Sequence, residues 1–302
     1  MTIITADMDG EIGGISTGLP QLDRLTGVGG IPIGRVSIIT GNYSVGKSTL
    51  ALSVVREAQK EGYKCLWADS EISFTKEYAE LIGVNNKKLD LLRASHAEAF
   101  LDAIEEYVTK NSKCLVVLDS YSGLSDRQET EKTNEGFTIA TKARLVAKFL
   151  RKIKTPLFFN ESALIIVNHE YANISGHGTI LAGGDTMQKV PSLWIKLTRP
   201  GSQNMIKQGD TFIGERVIAR LQKVKVGGNR FGECELQYYY GRGFDAKSDD
   251  WQKALDEGII MKKGNTYFMG ETKLGIGLEK AKQAFSELST VSAGNSHEES
   301  VI

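Results

Sequence analysis

Four short apolar runs alternate with stretches of helical periodicity in the first half of the chain. The runs cover residues 35–40, 64–68, 114–118 and 164–168, and each is bounded by Gly, Asp, Ser or Asn. Because they are continuously apolar rather than alternating, they predict strands buried on both faces. The stretches that predict helices are 48–61, 75–82, 97–109 and 138–154. We therefore expect an α/β fold with a mainly parallel, doubly wound sheet.

The second half of the chain has a different pattern. Runs at 193–197, 215–224 and 233–239 follow one another with Gly-rich turns between them, which predicts an antiparallel extension of the sheet. Beyond Phe244, a short helix, a strand and a final helix predict a small α+β C-terminal domain. The predicted organisation is an N-terminal arm (1–14), a core (15–244), a C-terminal domain (245–288) and a disordered tail (289–302).

Charge and cysteine content limit the class of protein. The 37 Lys and Arg residues balance 37 Asp and Glu residues, so the net charge is zero and a uniformly basic nucleic-acid binder is excluded. A locally basic segment remains compatible with this balance. No apolar run is long enough to span a bilayer, and the first residues do not form a signal peptide. Three widely spaced cysteines fit buried thiols in a reducing cytoplasm.

The segment Gly41-Asn-Tyr-Ser-Val-Gly-Lys-Ser48 fits the phosphate-loop pattern G-x-x-x-x-G-K-[ST]. Lys47 would reach the β- and γ-phosphate oxygens, and the Ser48 hydroxyl would bind Mg²⁺. The alternative interpretation is a Gly-rich turn, but the segment lies between an apolar strand and a helix, as the mechanism requires. We predict a nucleotide site that comprises Gly41, Asn42, Tyr43, Ser44, Val45, Gly46, Lys47, Ser48 and Thr49.

Two carboxylates follow other predicted strands. Asp119 ends the apolar run at 114–118, the usual source of a second Mg²⁺ contact, although a strand end often carries an Asp as a turn residue. Glu71 follows the run at 64–68 and would position or deprotonate the attacking water. The alternative for Glu71 is a solvated loop carboxylate.

Several segments occur in the order and spacing of RecA-type recombinases, the bacterial RecA and phage UvsX-like family. They are Ile15-Ser-Thr-Gly18, Leu22-Asp23, Gly29 to Gly34, the phosphate loop, Cys65 to Glu71, Leu118-Asp119-Ser120, Gly183-Gly184 and Tyr240-Gly-Arg-Gly243. The resemblance extends from about Ile15 to Lys282 and implies a RecA-like P-loop NTPase core. It implies a DNA-dependent ATPase that uses ATP and Mg²⁺. Such proteins form helical filaments on single-stranded DNA, pair it with homologous double-stranded DNA and exchange strands.

The resemblance also implies roles for single residues at the nucleotide. Glu71 becomes the catalytic carboxylate, Tyr78 matches the aromatic ring that stacks on adenine, and Tyr240 lies near the base. Lys223 and Lys225 match a Lys-x-Lys pair that reaches the neighbouring protomer's γ-phosphate, much as an arginine finger acts in trans. From the residues alone, two lysines at strand spacing are a solvent-facing stripe, and Tyr78 is a helix-surface aromatic.

Two segments resemble the DNA-binding loops of the family. Residues 126–135 resemble the first, and the stretch 136–154 that follows holds six cations and no acid. Such a stretch favours a phosphate-backbone surface over a merely solvated helix face. The second loop spans residues 169–185, where glycines permit close approach to phosphates and Tyr171 or Ile174 would wedge against bases. The implied DNA-binding residues are Ile139, Arg144, Arg151, Tyr171, Gly183 and Gly184.

The sequence departs from the family pattern at three points, one of which is a second DNA loop shorter than in the bacterial pattern. His169, part of the predicted catalytic set, stands where bacterial members usually carry a γ-phosphate-sensing Gln. Only residues 1–14 precede the Ile-Ser-Thr-Gly segment, so the family's N-terminal helix is largely absent. This shortness favours a regulator or mediator that binds ATP without its own active filament, and a ring helicase is a third hypothesis. Expected partners include single-strand-binding and mediator proteins, with a cytoplasmic location (the host cytoplasm for a phage protein).

Overall fold

The computed structural model describes most of the chain. The described residues are 10–94, 96–124, 135–172, 179–201, 204–246, 251, 254–255, 257–278, 280–285 and 288, with the backbone alone at 135–141, 171–172, 179–180 and 184. The chain divides into two compact units, Met1–Phe244 and Asp245–Ile302. The predicted division into arm, core, small domain and tail stays a prediction, and the tail lies outside the described residues.

The first unit contains thirteen strands and six α-helices among its described residues. The strands are β1 (Gly14–Ile15), β2 (Ile31–Pro32), β3 (Val36–Gly41), β4 (Lys64–Asp69), β5 (Leu89–Leu92), β6 (Cys114–Asp119), β7 (Ala163–Ala172), β8 (Thr179–Leu181), β9 (Leu193–Thr198), β10 (Met205–Gln208), β11 (Thr211–Val224), β12 (Glu233–Tyr239) and β13 (Gly243–Phe244). The helices are α1 (Pro20–Thr26), α2 (Lys47–Lys60), α3 (Lys76–Leu81), α4 (Ala97–Lys110), α5 (Glu135–Phe159) and α6 (Gly184–Lys189).

The large sheet joins a parallel centre to an antiparallel end. Its order is β13-β12-β11-β9-β3-β7-β6-β4-β5, with β10 on β11 and β8 on β7. The pairs from β9 through β3, β7, β6 and β4 to β5 are parallel, whereas β9 with β11 and β11 with β12 are antiparallel. This arrangement confirms the predicted fold class, a mainly parallel sheet with an antiparallel extension.

The central parallel strands of the sheet are buried on both faces, as their continuously apolar sequences predict. Every residue of β3 and β6 is buried. On one face, Phe100, Leu101 and Ile104 of α4 pack with Leu150 and Ile153 of α5 in a single apolar cluster. On the other face, α2 buries most of its residues. The two helical layers hold β3 in the middle of the fold, so the loop that follows β3 has a rigid base.

The Ile-Ser-Thr-Gly segment is held by one carboxylate. Asp23 in α1 accepts a hydrogen bond from the Ser16 hydroxyl (2.6 Å), the Thr17 hydroxyl (2.7 Å) and the Thr17 N–H (2.8 Å). Pro20 opens α1 and Gly27, in the left-handed region, ends it. The Ile-Ser-Thr-Gly segment and the Leu22-Asp23 pair therefore form one local structural motif, which lies outside the nucleotide site.

The second predicted DNA loop is partly a hairpin. Strand β7 continues past the predicted end at residue 168 to Ala172 and pairs with β8, with Glu170 opposite Leu181. The carboxylate of Glu170 is held by two neighbouring strands: it accepts a hydrogen bond from the Thr40 hydroxyl of β3 (2.7 Å) and forms an ion pair with Lys196 of β9 (2.6 Å). The segment 173–178 between these strands lies outside the described residues, as do residues 126–134 of the first predicted loop, 126–135.

The second unit contains a three-stranded antiparallel meander. Its strands are β14 (Ile260–Lys263), β15 (Thr266–Met269) and β16 (Thr272–Ile276). Trp251, Tyr267 and Ala281 are buried in its own small core. In the part of the chain that the structure describes, no helix is both long and apolar enough to cross a membrane.

Candidate nucleotide-binding site

The carboxyl ends of adjacent parallel strands meet at one edge of the sheet. Gly41 at the end of β3 is in register with His169 on β7, and Asp69 on β4 is in register with Asp119 on β6. Ligands of open α/β sheets bind at this edge. A cavity of about 420 Å³ opens here and gathers residues that are far apart in the chain. Its lining includes Tyr43, Ser44, Val45, Gly46, Lys47, Ser48, Thr49, Glu71, Tyr78, Asp119, Val167, His169 and Tyr238.

The phosphate loop has the backbone geometry of an anion cradle. Gly46 precedes α2 with φ +90°, and a Cβ there would lie 2.8 Å from the Phe244 ring. A Cβ on Gly41 would lie 2.4 Å from the Leu197 carbonyl oxygen, because β9 runs alongside the loop. Only glycine fits both positions. The N-terminus of the 14-residue α2 adds its partial positive charge to the same site.

Lys47 is almost fully buried and points back into its own loop. Its Nζ donates to the carbonyl oxygens of Asn42 (2.8 Å) and Gly41 (3.1 Å). Burial lowers the pKa of Lys47, while the nearby carboxylates of Asp119 and Glu71 act in the opposite direction. A buried ammonium group with two carbonyl acceptors is poised to gain a stronger, anionic partner.

Asp119 and Ser48 form the pair expected of a magnesium site. The Ser48 side chain hydrogen-bonds to Asp119, which is buried, and burial raises the pKa of this carboxyl to about 6. Asp69, one strand away, is already occupied: its Oδ2 accepts from Arg93 Nη2 at 2.8 Å and its Oδ1 from the Ser73 N–H at 3.0 Å. Asp119 is therefore the carboxylate available to a cation beside the loop.

The donor set fits Mg²⁺ rather than a metal held entirely by protein. Among the described residues there is no group of three or more His, Cys, Asp or Glu side chains able to hold a metal. A hydroxyl and a carboxylate beside an anion cradle suit Mg²⁺, which takes oxygen ligands and completes its shell with water and substrate phosphates.

Glu71 faces the cavity from the loop after β4. The Ser120 hydroxyl donates to its Oε1, and His169 Nε2 lies 3.4 Å from the same oxygen. His169 also stacks on Tyr43, with ring centroids 4.9 Å apart. Burial and the charge of Lys47 lower the pKa of His169. The imidazole beside Glu71 is therefore neutral at pH 7.

Aromatic side chains form the wall beyond the phosphate loop. The Tyr78 hydroxyl bonds to Thr49 Oγ1 (2.6 Å) and to the Tyr238 hydroxyl (3.3 Å), and all three residues line the cavity. Tyr240, predicted near the base, is not among the lining residues; its ring meets that of Tyr238 edge-on at 6.0 Å. Tyr238 was not among the predicted site residues, although the run of tyrosines at 238–240 was an available signal.

Lys223 and Lys225 do not reach the cavity of their own protomer. Lys223 Nζ donates to the carbonyl oxygens of Gln188 (2.5 Å) and Lys189 (2.7 Å), and Lys225 Nζ donates to the latter at 3.0 Å. Both lysines thus cap the C-terminus of α6, the helix that begins at the Gly183-Gly184 pair. Burial and the neighbouring Lys225 lower the pKa of Lys223 to about 8.

The predicted DNA-binding residues lie on other elements. Arg144 and Arg151 are exposed on α5, whereas the side chains of Ile139 and Tyr171 lie outside the described residues. Gly183 has φ +93°, and a Cβ there would lie 2.4 Å from Met187 and 3.0 Å from Tyr121. The neighbouring Gly184 begins α6, and only its backbone is described.

The basic stretch of α5 is not wholly without counter-charge. Lys152 pairs with Glu105 of α4 at 2.9 Å, and Lys142 donates to the Ser122 carbonyl at 3.2 Å. The acidic partner, Glu105, belongs to a different helix, so the sequence of α5 alone does not reveal this ion pair.

The phosphate loop on a parallel sheet, with Asp119 bonded to Ser48 and Glu71 facing the same cavity, defines a P-loop nucleotide-binding protein. A model of the family described as RecA N-terminal domain matches residues 1–245. Three relatives named Protein RecA are similar over most of their length. The one from Ureaplasma parvum is 30% identical over 282 residues (92% of this chain, 83% of the relative). The one from Sulfurimonas denitrificans is 35% identical over 279 residues (90% and 79%). The one from Deinococcus radiodurans is 34% identical over 273 residues (88% and 73%).

The chain therefore belongs to the RecA family. The resemblance drawn from the sequence is confirmed, and with it the function as an ATP-dependent recombinase. The comparisons contain nothing that favours the regulator hypothesis. The roles of individual site residues stay predictions.

Proposed function

We propose that this chain hydrolyses ATP in a DNA-dependent manner, within a helical filament that it forms on single-stranded DNA. One observation carries the proposal: a single cavity brings together Lys47, Ser48, Asp119 and Glu71 from three different strand ends. Membership of the RecA family supports the DNA and filament parts of the proposal. The filament would then pair its strand with a homologous duplex and exchange strands.

Phosphate binding is the task of the loop and Lys47. The loop N–H groups and the α2 N-terminus bind the phosphates, and Lys47 exchanges its carbonyl partners Gly41 and Asn42 for β- and γ-phosphate oxygens. Ser48 and Asp119 would hold Mg²⁺, which supplies neutralisation of the phosphate charge when bound. The carboxyl of Asp119 enters this role as an anion because a cation beside it opposes the effect of burial.

Water activation is the task of Glu71. Its Oε1 is held by the Ser120 hydroxyl and faces His169 Nε2, so Oε2 remains to orient or deprotonate a water in line with the γ-phosphate. His169 would take the place of the family's usual Gln, and the single N–H of its neutral imidazole would be directed from Nε2 toward Glu71. Tyr78 would contact the adenine, with Tyr238 beside it.

A neighbouring protomer would complete the site. Lys223, near the end of β11, and Lys225, just beyond it, do not line their own cavity and donate to carbonyl groups at the end of α6. In a filament they would reach the γ-phosphate bound by the adjacent protomer and stabilise the charge that develops during transfer. Hydrolysis would then depend on assembly.

DNA would contact α5 and the second loop. Arg144 and Arg151 project cations from α5, and Gly183-Gly184 permits close approach of backbone N–H groups to phosphates. Single-strand-binding and mediator proteins are proposed partners. A cytoplasmic location is proposed as well, since Cys65, Cys114 and Cys234 are free, buried thiols.

Electron microscopy with single-stranded DNA and a slowly hydrolysed ATP analogue tests this proposal. Extended helical filaments that require both ligands are the expected result. Closed rings would indicate the helicase hypothesis instead. Protomers that bind the analogue without assembling would favour the regulator and overturn the proposal.

A further inference from the structure

Arg199 forms hydrogen bonds both to the phosphate loop and to Glu215 on β11. It directly follows β9, whose Leu197 is in register with Gly41, the first residue of the loop. Arg199 Nη2 donates to the Ser44 carbonyl oxygen at 2.7 Å, and Nη1 donates to the Tyr43 carbonyl oxygen at 3.2 Å. These two carbonyl groups belong to the tip of the loop, so the guanidinium holds the tip through its backbone.

The guanidinium is itself fixed from behind by Glu215 on β11. Arg199 Nε donates to Glu215 Oε2 at 2.6 Å, and Nη2 donates to Oε1 at 3.0 Å, which is the bidentate geometry of a strong ion pair. Glu215 is buried, and Asn204 Nδ2 donates to its Oε2 at 3.2 Å. Four of the five N–H groups of the guanidinium thus form hydrogen bonds. Two donate to the carboxylate and two donate to the carbonyl groups of the loop.

The loop needs such support because of its own backbone. Ser44 has φ +55°, a left-handed conformation that costs a non-glycine residue about 1–2 kcal/mol. A carbonyl group turned outward to Arg199 leaves the following N–H groups free to turn inward, toward the cavity. Alternation of this kind builds the anion-binding concavity of a phosphate loop.

We propose that Arg199, clamped by Glu215, is a positioning residue that pre-organises the phosphate loop for nucleotide binding. Arg199 does not line the phosphate cavity, so it acts through the carbonyl groups of Tyr43 and Ser44 rather than on the phosphates. The positive charge of Arg199 also acts on the site, because it is close enough to Lys47 to lower the pKa of that residue. The antiparallel extension of the sheet thereby has a function in the nucleotide site. This inference rests on the proposed nucleotide binding.

The variant that tests the inference is Arg199→Lys. Lysine keeps the positive charge beside the buried Glu215 but, as a point donor, cannot hold two carbonyl groups and a bidentate carboxylate together. Removal of the charge with alanine would leave Glu215 uncompensated and destabilise the fold, which would confuse the result. Arg216→Ala is the matched control, because Arg216 lies on β11 beside Glu215 and its guanidinium is 4.0 Å from the exposed Glu235.

Calorimetric titration with Mg-ADP, together with KM and kcat for ATP, measures the effect. Arg199→Lys should bind ADP about tenfold more weakly, the loss expected for one charge-assisted hydrogen bond. KM should rise by a similar factor while kcat at saturating ATP stays near the wild-type value, since the loop binds ground state and transition state alike. Arg216→Ala should match the wild type.

A double-mutant cycle with Glu215→Gln separates positioning from simple folding. Glu215→Gln should weaken ADP binding by itself, and the double variant should bind ADP no more weakly than Arg199→Lys, because the two residues act through one contact. If Arg199→Lys does not fold, Glu215→Gln alone supplies the measurement. Wild-type affinity in a folded Arg199→Lys or Glu215→Gln variant overturns the inference and leaves the proposed function intact. A wild-type protein that binds no ADP overturns the proposed function and the inference with it.

Discussion

His169 Nε2 lies 3.4 Å from Oε1 of Glu71, and the Ser120 hydroxyl donates to the same oxygen. Burial and Lys47 lower the pKa of His169, so the contact is made by a neutral imidazole whose Nδ1 is buried without a partner. Two contacts on Oε1 orient the carboxylate, and Oε2 is the oxygen that we propose for the attacking water. Glu71, predicted from the sequence as the catalytic carboxylate, is therefore contacted by Ser120, which directly follows β6, and by His169 of β7.

Glu71→Gln should abolish turnover while nucleotide still binds. Glutamine preserves the shape and the contact with Ser120 but cannot accept a proton, and loss of a general base typically costs about 10²–10⁴-fold in rate. Steady-state ATP hydrolysis and calorimetric ADP binding measure the two effects separately. Hydrolysis by Glu71→Gln at the wild-type rate would remove Glu71 from the reaction.

Lys47→Ala should lose nucleotide affinity. The ammonium group of Lys47 is buried within the loop, and the charge-assisted bonds that it would form to phosphate imply a loss of about a hundredfold. Lys60→Ala is the control, because Lys60 lies at the exposed end of α2 and pairs with Glu57. Equal ADP affinity in the two variants would exclude the predicted role of Lys47.

The alkaline limb of the pH–rate profile should report Lys223. Its pKa is lowered to about 8, so the lysine loses the charge needed on the neighbour's phosphate as the pH rises through that value. Lys223→Arg, which stays charged, should shift or remove this limb. Titration of Lys223 does not itself destabilise the fold at alkaline pH: the unfolded chain binds more protons at this group than the folded one, so its contribution to stability increases as the pH rises. An unchanged alkaline limb in Lys223→Arg would contradict the assignment.

Mixed protomers should reveal action in trans. Glu71→Gln and Lys223→Ala are each expected to be inactive alone. Mixing them should restore part of the activity at interfaces that combine an intact Glu71 site with an intact Lys223 of the neighbour. Glu71→Gln mixed with Lys47→Ala is the control, and it should recover nothing because both residues belong to one protomer's cavity. Failure of the first mixture to recover activity at any ratio would place Lys223 outside the neighbour's site.

The parallel sheet was predictable because strands that are buried on both faces have continuously apolar sequences. β3 and β6 are buried at every position, so their runs are continuously apolar. β5 was not predicted: its four residues, Leu-Asp-Leu-Leu, form an edge strand with no fully buried residue. Helix α5 extends to Phe159, beyond the predicted end at residue 154, and retains Pro156 within it. Packing of Leu157 in the core supports this last turn against the local preference of proline.

The site was predictable where a motif is local and not where contacts span the chain. The pattern around Lys47 is contiguous, so its chemistry could be inferred directly. Arg199 reaches the carbonyl group of Tyr43 across 156 positions, and a backbone acceptor has no side-chain signature in the sequence. The same applies to Lys223, whose carbonyl partners on α6 depend on the pairing of β11 with β9.

The rate of ATP hydrolysis with and without single-stranded DNA tests whether this chain is a DNA-dependent ATPase. It should be measured on the wild-type protein and on Glu71→Gln, with Mg²⁺ present throughout. We expect single-stranded DNA to stimulate hydrolysis by the wild type and to have no effect on Glu71→Gln. Nucleotide binding by the wild type without DNA-stimulated hydrolysis would contradict the account.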